Sequence, residues 1–225
     1  MWTEVKRIVR KTPILGSFLM GARKSSFLNS TEYWEQRYRT GGNSGNGSRN
    51  RLAEFKATFL NDFVVREQVQ SVLEFGCGDG YQLKLSTYPH YIGVDVSPCA
   101  IAQCSAAFQG DECKCFYLMG DLPSDVRADL SLSLDVIYHL LEDDVYERYM
   151  RELFARAQRF VIVYSSNTNR HSDAKHVRHR IFTDWVERNI PDWRLISTTP
   201  NPFPFDPANP DQTSFADFYV FGRIS

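Results

Sequence analysis

The sequence predicts one α/β domain with a mainly parallel sheet between helices. Apolar segments of strand length alternate with amphipathic segments of helix length from Val72 onward, which is the pattern of successive βαβ units. A glycine-rich turn follows the first apolar segment, and acidic residues close several of the others. The chain has 225 residues, 43% hydrophobic and 24% charged, so it is long enough to bury one sizeable core.

The turn after the first strand carries the most informative motif. Glu74 ends an apolar run, and Gly76, Gly78 and Gly80 follow on alternate positions. Glycine permits positive φ and lets a ligand approach the main chain, so the turn is a candidate nucleotide site at which a helix begins. A dinucleotide site would require Gly-x-Gly-x-x-Gly, but Tyr81 stands at the sixth position.

The rest of the chain supplies the remaining elements of the alternation. Strands are expected at residues 72–75, 91–95, 114–119, 128–136, 159–165, 193–199 and 215–222, and helices at residues 30–38, 52–69, 98–108, 142–157 and 177–189. Glu74, Asp95, Asp121 and Asp135 lie at the ends of the first four strands. Right-handed crossovers bring such ends together at one crevice of the sheet.

The pattern Glu74-x-Gly76-x-Gly78-x-Gly80, with Asp95 closing the second strand, resembles the class I S-adenosylmethionine-dependent methyltransferases. The resemblance covers roughly residues 72–223. It implies a Rossmann-like, doubly wound sheet of seven strands with the last strand antiparallel, and S-adenosylmethionine as cofactor. Residues 70–225 would form the methyltransferase domain, and residues 1–69 a helical N-terminal extension with a lid.

The resemblance also implies roles for individual residues. Asp95 would accept hydrogen bonds from the ribose diol of the cofactor. Asp121 would contact the adenine amino group and Leu122 would offer a backbone donor, although Asp121 could equally only terminate its strand. The full predicted cofactor set is Tyr33, Trp34, Arg37, Glu74, Gly76, Cys77, Gly78, Gly80, Asp95, Val96, Asp121, Leu122 and Asp135.

Two N-terminal segments precede the first strand. Residues 5–24 are basic and amphipathic, so they could lie on an anionic membrane surface, pack on the protein or a second subunit, or act as a transit peptide. Residues 30–38 predict a helix with Tyr33, Trp34 and Tyr38, followed by a glycine-rich loop at 41–48. These aromatic residues favour a lid over a simple linker.

His139 is the predicted general base, because methyl transfer to a hydroxyl requires proton removal and an ordinary imidazole pKa near 6.5 suits it. Asp135, four residues earlier, would converge on the same spot if a helix followed the strand at once. Asp135-x-x-Tyr138-His139 resembles in part the Glu-x-x-Glu-His magnesium motif of RNA 3′-terminal ribose methyltransferases and ubiquinone-pathway O-methyltransferases. Asp135 and His139 are therefore also candidate Mg²⁺ ligands, although Tyr138 replaces one carboxylate.

The acceptor is predicted to carry a hydroxyl group. Ser133-Leu134-Asp135 stands where an Asn-Pro-Pro-Tyr-like sequence would mark amino methylation. Tyr33-Trp34-x-x-Arg37-Tyr38 and the segment 134–140 resemble small bacterial methyltransferases associated with glycan and polysaccharide assembly, which implies a saccharide or another small polar acceptor. A basic stretch at 170–180 could bind an anionic or polyhydroxylated acceptor, or be an ordinary solvated surface. An N-methyltransferase or an RNA ribose methyltransferase is the alternative.

Composition limits the partners and the location. The formal net charge is −1, which disfavours a long nucleic acid as partner. Five cysteines without a C-x-x-C pair, and no signal peptide, predict a cytoplasmic protein with reduced thiols, in possible contact with the membrane through residues 5–24. Outside the methyltransferase class, the alternatives are a nicotinamide-dependent oxidoreductase and a non-catalytic cofactor-binding module. The sequence does not determine the oligomeric state.

Overall fold

The computed structural model describes residues 29–224, so the predicted basic segment 5–24 lies outside the described residues. Seven strands form one sheet in the order β3-β2-β1-β4-β5-β7-β6. The strands are β1 Ser71–Phe75, β2 His90–Asp95, β3 Lys114–Leu118, β4 Ala128–Leu134, β5 Ala157–Ser165, β6 Trp193–Thr199 and β7 Asp217–Arg223. The first five are parallel, and β7 enters antiparallel between β5 and β6. The predicted doubly wound, Rossmann-like fold is confirmed.

Within the described residues, five α-helices accompany the sheet: α1 Ser30–Arg39, α2 Asn50–Arg66, α3 Pro98–Ala107, α4 Asp143–Ala155 and α5 Phe182–Asn189. Alternate strand residues face opposite sides, as strand geometry requires. Ile162 packs in the cluster that includes α2 and α3 residues, whereas Val163 packs in the cluster that includes α4 and α5 residues. The sheet is thus buried on both faces. No helix within residues 29–224 is long and apolar enough to span a bilayer.

Helix α2 is joined to the sheet through its buried stripe. Leu60 and Phe63 belong to the same apolar cluster as residues of β1, β4, β5 and β7, and the rings of Phe59 and Phe218 stack with centroids 4.0 Å apart. The division at residues 69 and 70 into extension and domain stays a prediction, with α2 forming part of the core.

Three elements differ from the sequence-based expectation. The glycine turn leads into a 3-10 helix, Gln82–Leu85, rather than a longer helix, because Ser86 is extended and the Asn61 side chain binds the backbone of Leu85 and Thr87. Strand β4 ends at Leu134, since Asp135 has φ 60°. Helix α5 begins at Phe182 instead of residue 177.

The segment before α5 is held by contacts with the chain that follows β4. The Arg178 backbone N–H donates to the Tyr138 carbonyl, 2.8 Å away. The Arg178 and Arg180 guanidinium groups donate to the carbonyl oxygens of Leu140 and Leu141. Residues 177–181 form no helical turn in this position.

Candidate active site

A cavity of about 480 Å³ lies at the carboxyl ends of β1, β2 and β4. This volume falls in the range of small-molecule sites. Nine residues of the predicted site line it: Trp34, Glu74, Gly76, Cys77, Asp95, Val96, Leu122, Asp135 and His139. Of the four strand-end acids expected at one crevice, Glu74, Asp95 and Asp135 line this cavity and Asp121 does not.

The glycine turn bends the main chain across the end of β2. The N–H groups of Gly76 and Cys77 donate to the Val94 carbonyl at 2.7 and 3.1 Å, and the Gly78 N–H donates to Asp95 Oδ2 at 3.0 Å. Gly78 has φ 57°, and a Cβ atom there would collide with the Ser44 hydroxyl. Glycine is thus required both by the backbone conformation and by the residues packed on the turn.

Two buried carboxyl groups form the acidic side of the cavity. Burial raises the pKa of Glu74 to about 7, although its Oε2 accepts a 2.6 Å hydrogen bond from the Tyr91 hydroxyl. Burial also raises the pKa of Asp95, against the opposing effect of the Ser97 and Gly78 N–H groups that donate to it. A ligand with cationic or hydroxyl donors would therefore stabilise the ionised form of both groups.

Five predicted cofactor residues do not line the cavity: Tyr33, Arg37, Gly78, Gly80 and Asp121. Gly78 and Gly80 act through the shape of the turn. Arg37 Nε donates to the Asn43 carbonyl at 2.6 Å, and the Tyr33 ring stacks on His176. The Asp121 side chain is exposed in the turn after β3, where Met119, Gly120 and Leu122 line the cavity instead.

Helix α1 lies over the carboxyl edge of the sheet and is fixed at its N-terminus and at its middle. The Asn29 side chain caps it by accepting from the Glu32 N–H. The Ser30 hydroxyl and N–H both donate to Glu142, at 2.6 and 3.0 Å, and Glu35 accepts from the Ser97 hydroxyl after β2. Trp34 and Tyr38 on this helix line the cavity.

The glycine-rich loop 41–48 is fastened to the glycine turn by Asp79. Asp79 Oδ2 accepts from the Ser44 N–H at 3.3 Å, and the Asp79 N–H donates to the Ser44 hydroxyl at 3.0 Å. Arg49 completes the connection with a 2.7 Å ion pair to Asp79 and a guanidinium 3.8 Å from the Tyr81 ring centroid. The loop therefore covers the turn through specific polar contacts.

His139 closes a 3-10 turn, Ile137–His139, and its ring is held by its neighbours. Nδ1 lies 2.8 Å from the His176 carbonyl oxygen. Because a carbonyl oxygen only accepts, Nδ1 carries the proton, and Nε2 of the neutral ring has a free lone pair. The Trp34 ring packs edge-on against the His139 ring, and the two ring centroids are 4.9 Å apart. Burial lowers the pKa of His139 to about 4, well below the ordinary value that the sequence argument assumed.

Asp135 is held by two donors in the cavity wall. Its Oδ2 forms a 2.6 Å ion pair with Lys56 of α2, and its Oδ1 accepts a 2.9 Å hydrogen bond from the Tyr138 hydroxyl. The predicted magnesium site receives no support. In residues 29–224 no three His, Cys, Asp or Glu side chains are grouped closely enough to hold a metal ion, and both Asp135 oxygens already have partners.

Sequence reasoning missed several lining residues, including Tyr38, Lys56, Gln82, Met119, Gly120 and Tyr149. A signal existed for Lys56, which stands four residues after Leu52 and four before Leu60 and so lies on the buried stripe of α2. No pattern identified Gln82. Its Nε2 donates to the Ala53 carbonyl, and its buried Oε1 has no protein partner among the described residues.

The basic stretch at 170–180 is partly structural. Arg178 and Arg180 both pair with Asp143 at the start of α4, at 3.0 Å, besides their bonds to backbone carbonyls. The Ser166 hydroxyl lies 2.6 Å from His179 Nδ1. These contacts hold the segment against α4 and the His139 turn, and Arg178 and Arg180 share the single carboxylate of Asp143.

Comparison with known proteins shows a similarity to methyltransferases. Residues 72–180 match the family model described as "Methyltransferase domain". The chain is similar to the N-methyltransferase NodS from Bradyrhizobium japonicum WM9 in complex with S-adenosyl-L-homocysteine, at 16% identity and a TM-score of 0.64, covering 88% of this chain and 100% of that one. None of the curated proteins matches this sequence.

Two other solved structures have the same fold. Magnesium protoporphyrin IX methyltransferase (ChlM) from Synechocystis PCC 6803 with bound S-adenosylhomocysteine has 15% identity and a TM-score of 0.60, with 88% of this chain and 96% of that chain covered. The methyltransferase domain of bacterial CtHen1 has 18% identity and a TM-score of 0.57, with 76% of this chain and 97% of that chain covered. The chain therefore has the fold of the class I S-adenosylmethionine-dependent methyltransferases, and residues 72–180 match a methyltransferase domain.

Proposed function

We propose that this methyltransferase transfers a methyl group from S-adenosylmethionine to a hydroxyl group of a sugar or another small polar molecule, with His139 as the base. The observation that carries the proposal is a neutral, cavity-lining histidine whose Nδ1–H is fixed by the His176 carbonyl. Similarity to the solved structures supports the fold and the donor, whereas the acceptor is argued from the site.

The residues of the cavity fit the proposed cofactor. Asp95 is a buried acceptor at the end of β2, suited to a ribose diol. Gln82 Oε1 is a buried acceptor without a protein partner among the described residues, and Glu74 favours a cationic group. Met119 and Leu122 offer an apolar wall for a flat purine. We further propose that α1 and loop 41–48 serve as the lid.

His139 would act by accepting one proton. The bound cofactor supplies a methyl group attached to a sulfonium, which makes the sulfur a good leaving group. As the acceptor oxygen forms its bond to the methyl carbon and the carbon–sulfur bond breaks with its electron pair on sulfur, the hydroxyl proton passes to His139 Nε2. The His176 carbonyl and the Trp34 ring hold the imidazole in one orientation meanwhile.

Asp135 is better suited to a supporting role than to proton transfer. Its two oxygens accept from Lys56 and Tyr138, so a proton on either oxygen would displace a hydrogen bond. Its negative charge opposes the lowering of the His139 pKa by burial. Asp135 would thus stabilise the imidazolium that proton transfer creates.

The class of the acceptor is argued from the sequence motif at the end of β4. The neighbouring structures include a methyltransferase for a porphyrin and one for nitrogen, so the fold alone does not select the acceptor atom. The lack of an Asn-Pro-Pro-Tyr-like sequence at Ser133-Leu134-Asp135 favours oxygen. The glycan-associated type remains our proposal, as do a cytoplasmic location and membrane contact through residues 5–24.

A radiolabelled methyl donor offered with glycans, phenols, amines and nucleosides, with and without EDTA, tests this proposal. We expect label in a hydroxylated acceptor, at a rate that EDTA leaves unchanged. Label in an amine, or in an RNA ribose, would select the corresponding alternative acceptor class. Loss of turnover with EDTA would restore the magnesium hypothesis. Binding of nicotinamide cofactors in place of S-adenosylhomocysteine would contradict the donor.

A further inference from the structure

Lys56 is a fully buried lysine, at 0% exposure, that lines the cavity from the middle of α2. Its ammonium group forms the 2.6 Å ion pair with Asp135 and lies 5.3 Å from the centroid of the Tyr164 ring. Burying an ammonium group is costly unless it is paired and hydrogen-bonded. The Asp135 carboxylate is therefore what allows a charged lysine at this position, and the two residues form one unit.

Asp135 has an unusual backbone conformation. Its φ of 60° lies in the left-handed region, which residues with a side chain other than asparagine or aspartate rarely adopt. Such strain persists where surrounding contacts enforce it. Here Lys56 holds one carboxylate oxygen from α2, and Tyr138 holds the other from three residues further along the chain.

This conformation starts the turn that carries His139. The His139 N–H donates to the Val136 carbonyl at 2.8 Å, which closes the turn. On its other side, the Tyr138 carbonyl accepts from the Arg178 N–H and the His139 ring donates to the His176 carbonyl. The turn is thus fastened to residues 176–178 on one side and, through Asp135, to Lys56 on the other.

We propose that Lys56 is a positioning residue for methyl transfer, whose ion pair with Asp135 fixes the turn that presents His139 to the cavity. The inference rests on the proposed role of His139 as base. Lys56 would not touch the reacting atoms. Its effect would reach them through Asp135 and the 3-10 turn.

The first test follows the His139 ring by ¹H–¹³C NMR, with its cross-peak assigned by its loss in His139→Gln. We expect Lys56→Met and Asp135→Asn each to displace this cross-peak, and the double variant to displace it no further than the single variants do, because they break the same link. Asparagine tolerates the left-handed conformation, so Asp135→Asn removes the charge and retains the backbone shape. An unmoved cross-peak in a folded Lys56→Met protein would show a purely structural lysine and overturn the proposal.

The double variant keeps the test usable if a single variant does not fold, because it removes both charges of the pair and leaves no unpaired buried charge. If Lys56→Met alone does not fold, the displaced cross-peak is expected in the double variant, and its absence there would overturn the proposal. Lys114→Met is the matched control. Lys114 forms an ion pair with Asp111, and neither residue lines the cavity. The His139 signal should therefore stay in place in this variant.

Kinetics and binding separate this inference from the proposed function. With an acceptor identified, Lys56→Met should lower kcat by about 100-fold, as expected for a displaced catalytic group, while the Kd for S-adenosylhomocysteine stays within about threefold. An unchanged kcat would overturn the role of Lys56. Failure of the wild-type protein to bind S-adenosylhomocysteine would instead count against the proposed function, and the NMR result on Lys56 would still stand.

Discussion

At the scale of single residues, the cavity distinguishes two acids that the sequence presents alike. Asp95 is the last residue of the parallel strand β2, and Asp121 lies just beyond the parallel strand β3. Asp95 is buried and lines the cavity, whereas Asp121 is exposed outside it. Hydrophobic pattern locates the end of a strand, but the side-chain direction in the following turn depends on local hydrogen bonds. The sequence placed both acids at strand ends and in the predicted cofactor set. Only Asp95 lines the cavity.

Asp95→Ala should weaken the binding of S-adenosylhomocysteine by about 100-fold, since it removes a buried charged acceptor for the ribose diol. Calorimetric titration measures this. Asp121→Ala is the matched control and should change the Kd by less than about threefold. Asp95→Asn, which keeps the size of the side chain, should also bind weakly. Equal effects at both aspartates would mean that the exposed acid, too, holds the ligand.

The lowered pKa of His139 predicts an unusual pH profile. The base must be neutral, and a pKa near 4 leaves it neutral at all pH values well above that value. We expect kcat to stay level from about pH 8 to about pH 5 and to fall only at lower pH. The profile is read from initial rates at saturating donor and acceptor. A decline centred near pH 6.5 would show that the histidine titrates as an ordinary exposed imidazole.

At the scale of elements, the proposed lid is held closed by contacts that cross between chain segments. Asp79 joins loop 41–48 to the glycine turn through Ser44 and Arg49. Because the turn is part of the proposed cofactor site, binding there should stiffen the loop as well. The prediction of a lid from an aromatic helix and a flexible loop could not include this link, which depends on residues 35 positions apart.

Amide hydrogen exchange should detect this coupling. We expect S-adenosylhomocysteine to slow exchange at residues 40–49 in the wild-type protein, and Asp79→Ala to abolish most of this protection. Asp206→Ala is the control, because Asp206 makes comparable local hydrogen bonds in the proline-rich loop. Protection that persists in Asp79→Ala would mean that the ligand orders the loop by direct contact alone.

Element boundaries were less predictable than element order. The segment 177–181 carries a helical pattern, yet its Arg178 and Arg180 side chains bond to the chain that follows β4 and it forms no helical turn. Similarly, the burial of Lys56 on the apolar stripe of α2 was not predicted from the sequence, because its partner Asp135 lies 79 positions away. Tertiary contacts decided both cases, and neither contact is visible in a local window of sequence.

At the scale of the whole molecule, α2 and the sheet share one core. Phe218 of β7 is fully buried, at 0% exposure, and stacks on Phe59 of α2. Phe218→Ala should therefore destabilise the protein by about 3–5 kcal/mol. Denaturant unfolding measures this, with Phe205→Ala as control, because Phe205 is 52% exposed. A loss below about 1 kcal/mol at Phe218 would mean that α2 packs only loosely on the sheet.

The whole chain also shows why the donor is better defined than the acceptor. Strand order, the glycine turn and the strand-end acids follow from patterns that recur within about 30 residues, and they define the cofactor side. The proposed catalytic unit of Lys56, Asp135 and His139 comes from separate segments that line the same cavity, so it depends on packing across the fold.

The central claim is that His139 accepts the proton of a hydroxyl acceptor. It is tested most directly by comparing wild-type protein with His139→Ala for transfer of labelled methyl to the acceptor found in the panel, with S-adenosylhomocysteine binding measured on both. We predict that kcat falls by about 100-fold or more while the Kd for S-adenosylhomocysteine changes by less than about threefold. A His139→Ala protein that binds the ligand and retains wild-type turnover would contradict the account.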